Sequence, residues 1–268
     1  MKSSGLLLRA GVVGWVTVLV ALPVAVLVVR GLSGGPAAFL AAVSDPAAVD
    51  ALVLSVWTAA IAAAVNAVVG TAIAWTLVRW DVPGRRLIGA LVDLPLAIPT
   101  LVAGVLIIAL FGPQTAVGRM LGEAGIPVAF ARPGIVLALL FVTLPFVVRA
   151  VEPVLEELDP AEEEAAYTMG AGQFLTLVRV LLPPILPAVA TGAVQTFARS
   201  VAEFGSLAAV SGNIPRRTLV APVYILGEVE AGNTAGAASV SLVLLVLALA
   251  LQPLSAALAR RAGARRAQ

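Results

Sequence analysis

The chain has 268 residues, 60% of them hydrophobic and only 12% charged, with a net charge of +2. Soluble domains carry about 25% charged residues, and a balance this close to neutral gives no case for a nucleic-acid partner. Cysteine and histidine are absent and the one lysine is Lys2, which excludes thiol catalysis, disulfides, His/Cys metal or haem sites, and the Lys-bearing phosphate loop of a nucleotidase. Uncharged apolar runs long enough to cross a hydrocarbon core, about 20 helical residues each, make this an all-α membrane protein. Any ATP that drives it is hydrolysed on another chain.

Residues 1–10 form a basic leader with Lys2 and Arg9, and residues 11–258 a single transmembrane domain with spans at about 11–30, 51–78, 87–111, 133–151, 184–210 and 235–258. The first span reads as a retained helix, because its apolar core exceeds the roughly 7–15 residues of a cleaved leader. The Gly/Pro content of residues 31–50 predicts a loop with a short interfacial helix. In the second span Ser55, Ala59, Ala63, Asn66 and Gly70 recur every three or four residues, a face on which helices approach closely. Asn66 reads as glue between helices, with a place on a translocation path as the other reading. The third span carries Asp93, Pro95 and Pro99 and is expected to be a kinked helix, with Asp93 as a snorkelling or capping carboxylate. Residues 112–132 read as a loop. Residues 211–234 read as a long polar connection, in part re-entrant.

Orientation follows from the bias of Lys and Arg towards the cytoplasm. With the N-terminus inside, Lys2, Arg9, Arg79, Arg85, Arg86, Arg149, Arg179, Arg260, Arg261, Arg265 and Arg266 fall inside, eleven against five for Arg30, Arg119, Arg132, Arg216 and Arg217. Six crossings then return the basic tail, residues 259–268, to the cytoplasm.

Residues 152–183 are thereby placed in the cytoplasm, and LEELDPAEEEAAYTMG within them carries a strong helix start. Asp159 suits the N-cap, Pro160 the first helical position and Glu162 the third, a capping-box pattern. Carboxylates at 162–164 complement the helix dipole, and Gly170 suits the left-handed stop. A second short helix, FLTLVRVLL, is expected to run to Pro183. The pair could lie on lipid headgroups, but an acidic helix start is poorly suited to an anionic leaflet. The favoured reading is a protein-facing projection with Tyr167, Met169 and Phe174 as apolar anchors.

This segment resembles the signature of the integral-membrane subunits of ATP-binding-cassette (ABC) importers: Glu-Ala-Ala, three residues, Gly, nine residues, then Ile-x-Leu-Pro. Here it reads Glu164-Ala165-Ala166, Gly170 and Val180-Leu181-Leu182-Pro183, departing only in Val for Ile. The resemblance implies a type I importer permease fold of six transmembrane helices, with a coupling helix between the fourth and fifth that docks on an ATPase subunit. ALVLSVWTAAIAAAVNAVVGTAIAW, RWDVPGRR, DLPLAIPTLVAGVLIIALFG and FARSVAEFGSLAAVSGNIPRRT look like sulfate-type and molybdate-type permeases, and LVAPVYILGEVEAGNTAGAAS is closer to the sulfate/thiosulfate type.

The implied partners are two ABC ATPase subunits that bind ATP and Mg, a second permease subunit (a heterodimer favoured over a homodimer), and a periplasmic or lipid-anchored sulfate-binding protein. The chain itself would hold no cofactor, metal or catalytic residue. Molybdate or tungstate import is the alternative cargo. A stand-alone secondary transporter or channel is the alternative class; it expects mid-membrane relays and internal repeats, and leaves the cytoplasmic signature unexplained.

Arg199 and Glu203 stand four apart on the fifth span and so share a face. They read as an internal ion pair fixing the helix, or as part of an electropositive path for a divalent oxyanion. Arg216 and Arg217, on the expected outer side, are candidates for contact with the binding protein or the anion, against simple solvation.

Overall fold

A computed structural model describes residue 9 and residues 11–265, and every regular element among them is helical. Lys2, Arg266 and the ends of the leader and tail lie outside the described residues. The elements in chain order are α1 (Gly11–Leu32), α2 (Gly35–Val43), α3 (Pro46–Arg79), α4 (Arg85–Ala97), α5 (Thr100–Phe111), α6 (Ala116–Glu123) and α7 (Arg132–Glu157). After these come α8 (Pro160–Thr168), α9 (Phe174–Val201), α10 (Gly205–Val210), α11 (Ala221–Glu230) and α12 (Thr234–Arg265).

Among the described residues α1, α3, α7 and α9 are each long and apolar enough to cross a bilayer, and the bent pair α4–α5 makes a fifth crossing if taken together. The sixth expected span falls on α12, whose described apolar part, Thr234–Ala250, is shorter.

The centre is a bundle of α3, α7 and α9. Its close packing rests on the small-residue face of α3, where Ser55, Ala59, Ala63, Asn66 and Gly70 are all buried. A Cβ on Gly70 would meet Val147 Cβ at 2.9 Å, and one on Gly192 of α9 would meet Val147 Cα at 2.7 Å. Only glycine lets both helices close on the same valine of α7. One apolar cluster, including Leu54, Ile135, Leu139, Leu207 and Val220, fills one end of the bundle. A second, including Leu77, Val147, Val151, Leu155 and Ile185, fills the other.

A polar layer lies on the same three helices. Asn66 donates to the Leu140 carbonyl at 3.1 Å and to Thr143 Oγ1 at 3.0 Å, and Thr196 Oγ1 donates to the Thr143 carbonyl at 3.4 Å. Asn66, Thr143 and Thr196 are buried, so each satisfied donor holds a helix pair in register.

Three expectations about helix continuity are corrected. The third span is not a kinked rod: α4 and α5 meet at 113°. Pro99 drives Ile98 into the extended region (φ −88°, ψ 134°), where no helix continues, while Pro95 is carried inside α4. The fifth span does not run to 210, because α9 stops at Val201 and α10 begins at Gly205. The helix ahead of Pro183 does not stop there but is the start of α9, which continues through it to Val201.

That last result has a geometric cause. Leu177–Leu181 is a π-helical turn closed by Leu182 N–H to the Leu177 carbonyl, five residues back. The wider turn accommodates Pro183, which has no N–H and whose ring crowds the carbonyl four residues before it. The same device recurs in α1, where the π turn Thr17–Ala21 precedes Pro23. The stretch read as a loop, 112–132, carries the short helix α6, and the polar connection 211–234 carries α11.

Candidate functional site

The α8 projection is built as its sequence dictates. Asp159 caps the helix by accepting from Ala161 N–H at 2.9 Å, and Pro160 occupies the first turn. Glu162 remains exposed and does not bond back to Asp159 N–H, so the expected capping box is half-made, by the aspartate alone. At the other end Gly170 N–H reaches the Tyr167 carbonyl at 2.9 Å and Ala171 N–H the Ala166 carbonyl at 3.0 Å. With Gly170 at φ 87° this is a complete Schellman stop. The turn reverses the chain and starts α9 beside α8.

The outward face carries Glu164 and Ala165 with Tyr167 (46% exposed), Met169 (82%) and Phe174 (78%). Large apolar side chains this exposed, on a helix whose first turn is acidic, form a surface suited to a protein groove. Ala166 is buried and packs inward, so it positions the projection and does not form part of the outward face.

The carboxylates at 162–164 are not equivalent. Glu163 turns inward to Arg79, the last residue of α3, with Nε and Oε1 3.0 Å apart and side chains only 14% and 19% exposed. The contact lies off the hydrogen-bonding direction and is ionic in character. Arg79 Nη2 also donates to the Leu158 carbonyl at 3.2 Å, in the linker between α7 and α8. Nearby, Arg149 of α7 gathers Asp93 (Nε to Oδ1, 2.8 Å), the Gly89 carbonyl (3.0 Å) and Glu152. Asp93 therefore neither snorkels nor caps; it ties α4 to α7.

The two helix breaks face each other. The start of α10 lies against the start of α5, where a Cβ on Gly205 would fall 2.2 Å from Thr100 Oγ1 and 2.8 Å from Leu101 N. Glu203, in the α9–α10 break, is fully buried. Its Oε1 accepts from Ser206 N–H and Oγ, both at 3.1 Å, and its Oε2 lies 2.7 Å from Arg199 Nη2. Both oxygens are thus engaged in holding the break, and Arg199, 37% exposed, keeps part of its guanidinium accessible.

At the far end of α3, Arg216 Nε meets Asp50 Oδ2 at 3.0 Å, and Arg132 Nε donates to the Arg217 carbonyl at 3.0 Å. With Trp57 these residues line a cavity of about 140 Å³. An adjoining groove of about 590 Å³ includes Ile126, Phe130, Ile214, Arg132 and Arg217. Among the described residues, Phe130, Asn213 and Arg216 are the non-glycine residues with positive φ (61°, 53° and 61°), and all lie in the two loops that line this end. Such conformations persist where surrounding contacts hold them.

The model of the family described as binding-protein-dependent transport system inner membrane component matches residues 66–263. The chain belongs to that family. Over 230 residues it is 43% identical to a probable sulfate transport system permease protein cysT of Nephroselmis olivacea, covering 86% of this chain and 81% of that one. It is 40% identical over 245 residues to the sulfate transport system permease protein CysT of Synechocystis sp., with coverage of 89% and 86%. Among solved structures, a bacterial ABC transporter importing the acidic polysaccharide alginate aligns with a TM-score of 0.76 at 18% identity, over 97% and 96% of the two chains. The MetNI methionine ABC transporter aligns at 0.56 and 21%, over 81% and 99%.

As a permease of this family the chain is a multi-pass membrane component of a transport system, with the fold of ABC importer permeases. Its Glu-Ala-Ala…Gly signature forms one capped projection, as the motif implies. Asn66, on α3, bonds Thr143 of α7, whose carbonyl accepts from Thr196, one turn before Arg199 on α9; Arg199 and Glu203 pair with each other in the break beyond that layer. Sequence reasoning missed Glu163, Arg79, Arg132 and Asp50 as specific partners. Arg79 and Arg132 were counted only as flanking charges, Glu163 only among the carboxylates of a helix start, and Asp50 was not singled out; the pairing joins positions up to 166 residues apart, for which one sequence carries no signal.

Proposed function

We propose that this permease is one of two transmembrane subunits of an ATP-driven importer carrying sulfate or thiosulfate across the inner membrane. The observation that carries the reading is the Schellman-stopped α8, which with its turn and the start of α9 presents Tyr167, Met169 and Phe174 beside Glu164. On this reading Glu164, Ala165, Tyr167, Met169 and Phe174 dock on an ATPase subunit, and Ala166 and Gly170 set the angle of docking. ATP and Mg are bound by a pair of such subunits; this chain holds no cofactor and performs no hydrolysis. Closure of the ATPases draws the projections together and tilts the bundle between inward- and outward-facing states.

The cargo follows from the sulfate permeases named among the relatives. A second, related permease completes the pathway, with a heterodimer favoured. Arg216 and Arg217, joined by Arg132, receive the anion-loaded binding protein, and the accessible part of Arg199 adds positive potential along the path. The N- and C-termini lie in the cytoplasm, as the arginine bias supports.

Uptake of labelled sulfate in cells lacking the chain, with and without a restored copy, tests the proposal. Restoration is expected, with competition by thiosulfate. Restored uptake of molybdate in place of sulfate would move the cargo to the alternative oxyanion, and uptake without any ATPase subunit would remove the importer reading.

A further inference from the structure

α3 differs from its neighbours in continuity. α1, α4, α7, α9 and α12 each carry interior proline, at 23, at 95, at 145 and 153, at 183, 184 and 187, and at 253, and α1 and α9 each hold a π turn. α3 runs for 34 residues with proline only in its first turn and no break. At 1.5 Å per residue it spans about 50 Å. Its two ends are the two ends of the proposed machine. Arg79 holds Glu163 of the projection and the Leu158 carbonyl behind it. Asp50 holds Arg216 at the far end, and Ser55 Oγ accepts from Ala221 N–H at 2.9 Å.

We infer that α3 is a strut through which the α8 projection sets the conformation of the loop 211–220, with Arg79 and Glu163 as its positioning residues at the inner joint and Asp50 and Arg216 at the outer. The inference rests on the proposed importer function. Glu163 is suited to this and not to docking, since it is turned away from the outward face on which Glu164 lies. A displacement of α8 reaches α3 directly through an ionic contact shielded from solvent. The load is shared with α7 at the Asn66 crossing. At the outer joint Arg216 stands at φ 61°, a conformation a non-glycine residue keeps only while something holds it. The Ile214 carbonyl, which accepts from Arg217 and Thr218 N–H, holds the turn from within, and Asp50 is the charged group that ties it to α3; on this inference a small shift of α3 loosens that tie and lets the loop move.

The absence of cysteine gives a clean readout. Ile214→Cys places a single thiol on the outer loop, at a position 43% exposed. The assembled transporter in lipid nanodiscs is treated with a charged maleimide, with and without ATP and vanadate, and uptake per ATP is measured in proteoliposomes. In the Ile214→Cys background the labelling rate is expected to change on nucleotide trapping. Glu163→Gln should shrink that change, and uptake per ATP, by at least about fivefold, while the ATPase subunits still copurify. The charge exchange Arg79→Glu with Glu163→Arg should restore both.

A Glu163→Gln transporter that keeps the full nucleotide response and uptake per ATP overturns the strut. So does loss of ATPase copurification in that variant, which would make Glu163 a docking residue, or failure of the exchanged pair to restore the response. If the unaltered chain copurifies with no ATPase, the importer reading falls instead.

Discussion

Gly170 shows how one residue can be required with nothing packed against it. A Cβ there would meet no atom within 4 Å, yet φ is 87°. Its replacement by a β-branched residue therefore costs conformation and not space, about 1–2 kcal/mol. Gly170→Val is expected to leave membrane abundance unchanged and to reduce both copurification of the ATPase and sulfate uptake; unchanged uptake would separate the turn from coupling. Tyr224, on α11 outside the spans, is a second residue whose surroundings decide its chemistry. Burial first, then the carboxylates of Glu228 and Asp45, push its phenol up to about 12. The raised value means that stability from this group is whole below pH 10 and is lost as pH climbs from 10 to 12. In a Tyr167→Phe background, which leaves one phenol, the phenolate absorbance band should rise near pH 12; a midpoint near 10 would show Tyr224 to be solvated.

At the scale of elements, the breaks tell more than the helices. The apolar runs of α1, α3 and α7 and the start of α8 were legible because hydrophobic length, proline at the first turn and an Asp cap are local signals. Where a helix ends inside a hydrophobic run was not. DLPLAIPT reads as a kink or a break with equal right; of its two prolines, four residues apart, Pro95 is carried within α4 and Pro99 ends it. What decides is whether another element closes on the gap, and here Gly205 closes on Thr100.

Gly205→Ala should destabilise the protein by about 1–3 kcal/mol through overpacking, seen as a lower melting temperature in detergent. Gly227→Ala, in α11 with open space around it, should be neutral or slightly stabilising. Equal effects would mean that α5 and α10 do not approach so closely. Arg199→Ala leaves Glu203 buried with only Ser206 as donor. The expected loss is roughly 2 kcal/mol, below the 3–5 of a fully buried pair because Arg199 is partly exposed. Adding Glu203→Gln should recover part of it, and a melting temperature unmoved by Arg199→Ala would deny the pair a part in holding the break.

For the molecule as a whole, the sequence alone carried the class and the coupling motif, since hydrophobic length and the Glu-Ala-Ala…Gly spacing are one-dimensional. It did not carry the ion pairs that tie α3, α7 and α8 together, because these depend on which ends of remote helices meet. Reporter fusions at residues 34, 82, 124, 170 and 232 should alternate between outside and inside in the order expected from the arginine bias. A reporter at 170 active only outside the cell would invert the topology and detach the projection from any cytoplasmic motor.

The two π turns have a further consequence for how the permease can change over time. Each holds one more residue per turn than the α-helix around it, ahead of Pro23 and ahead of Pro183. Excising a single residue from 177–181 would tighten that turn to ordinary pitch, and because a wide turn of five residues sweeps nearly the same angle as an α turn of four, everything upstream would keep roughly its bearing about the axis of α9. Tyr167, Met169 and Phe174 would still face the same way, but Pro183 would lose the room that the wide turn gives its ring. A one-codon deletion here thus spares the direction of the handle and strains the helix behind it, whereas the same deletion in an ordinary turn would swing the handle through about 100°.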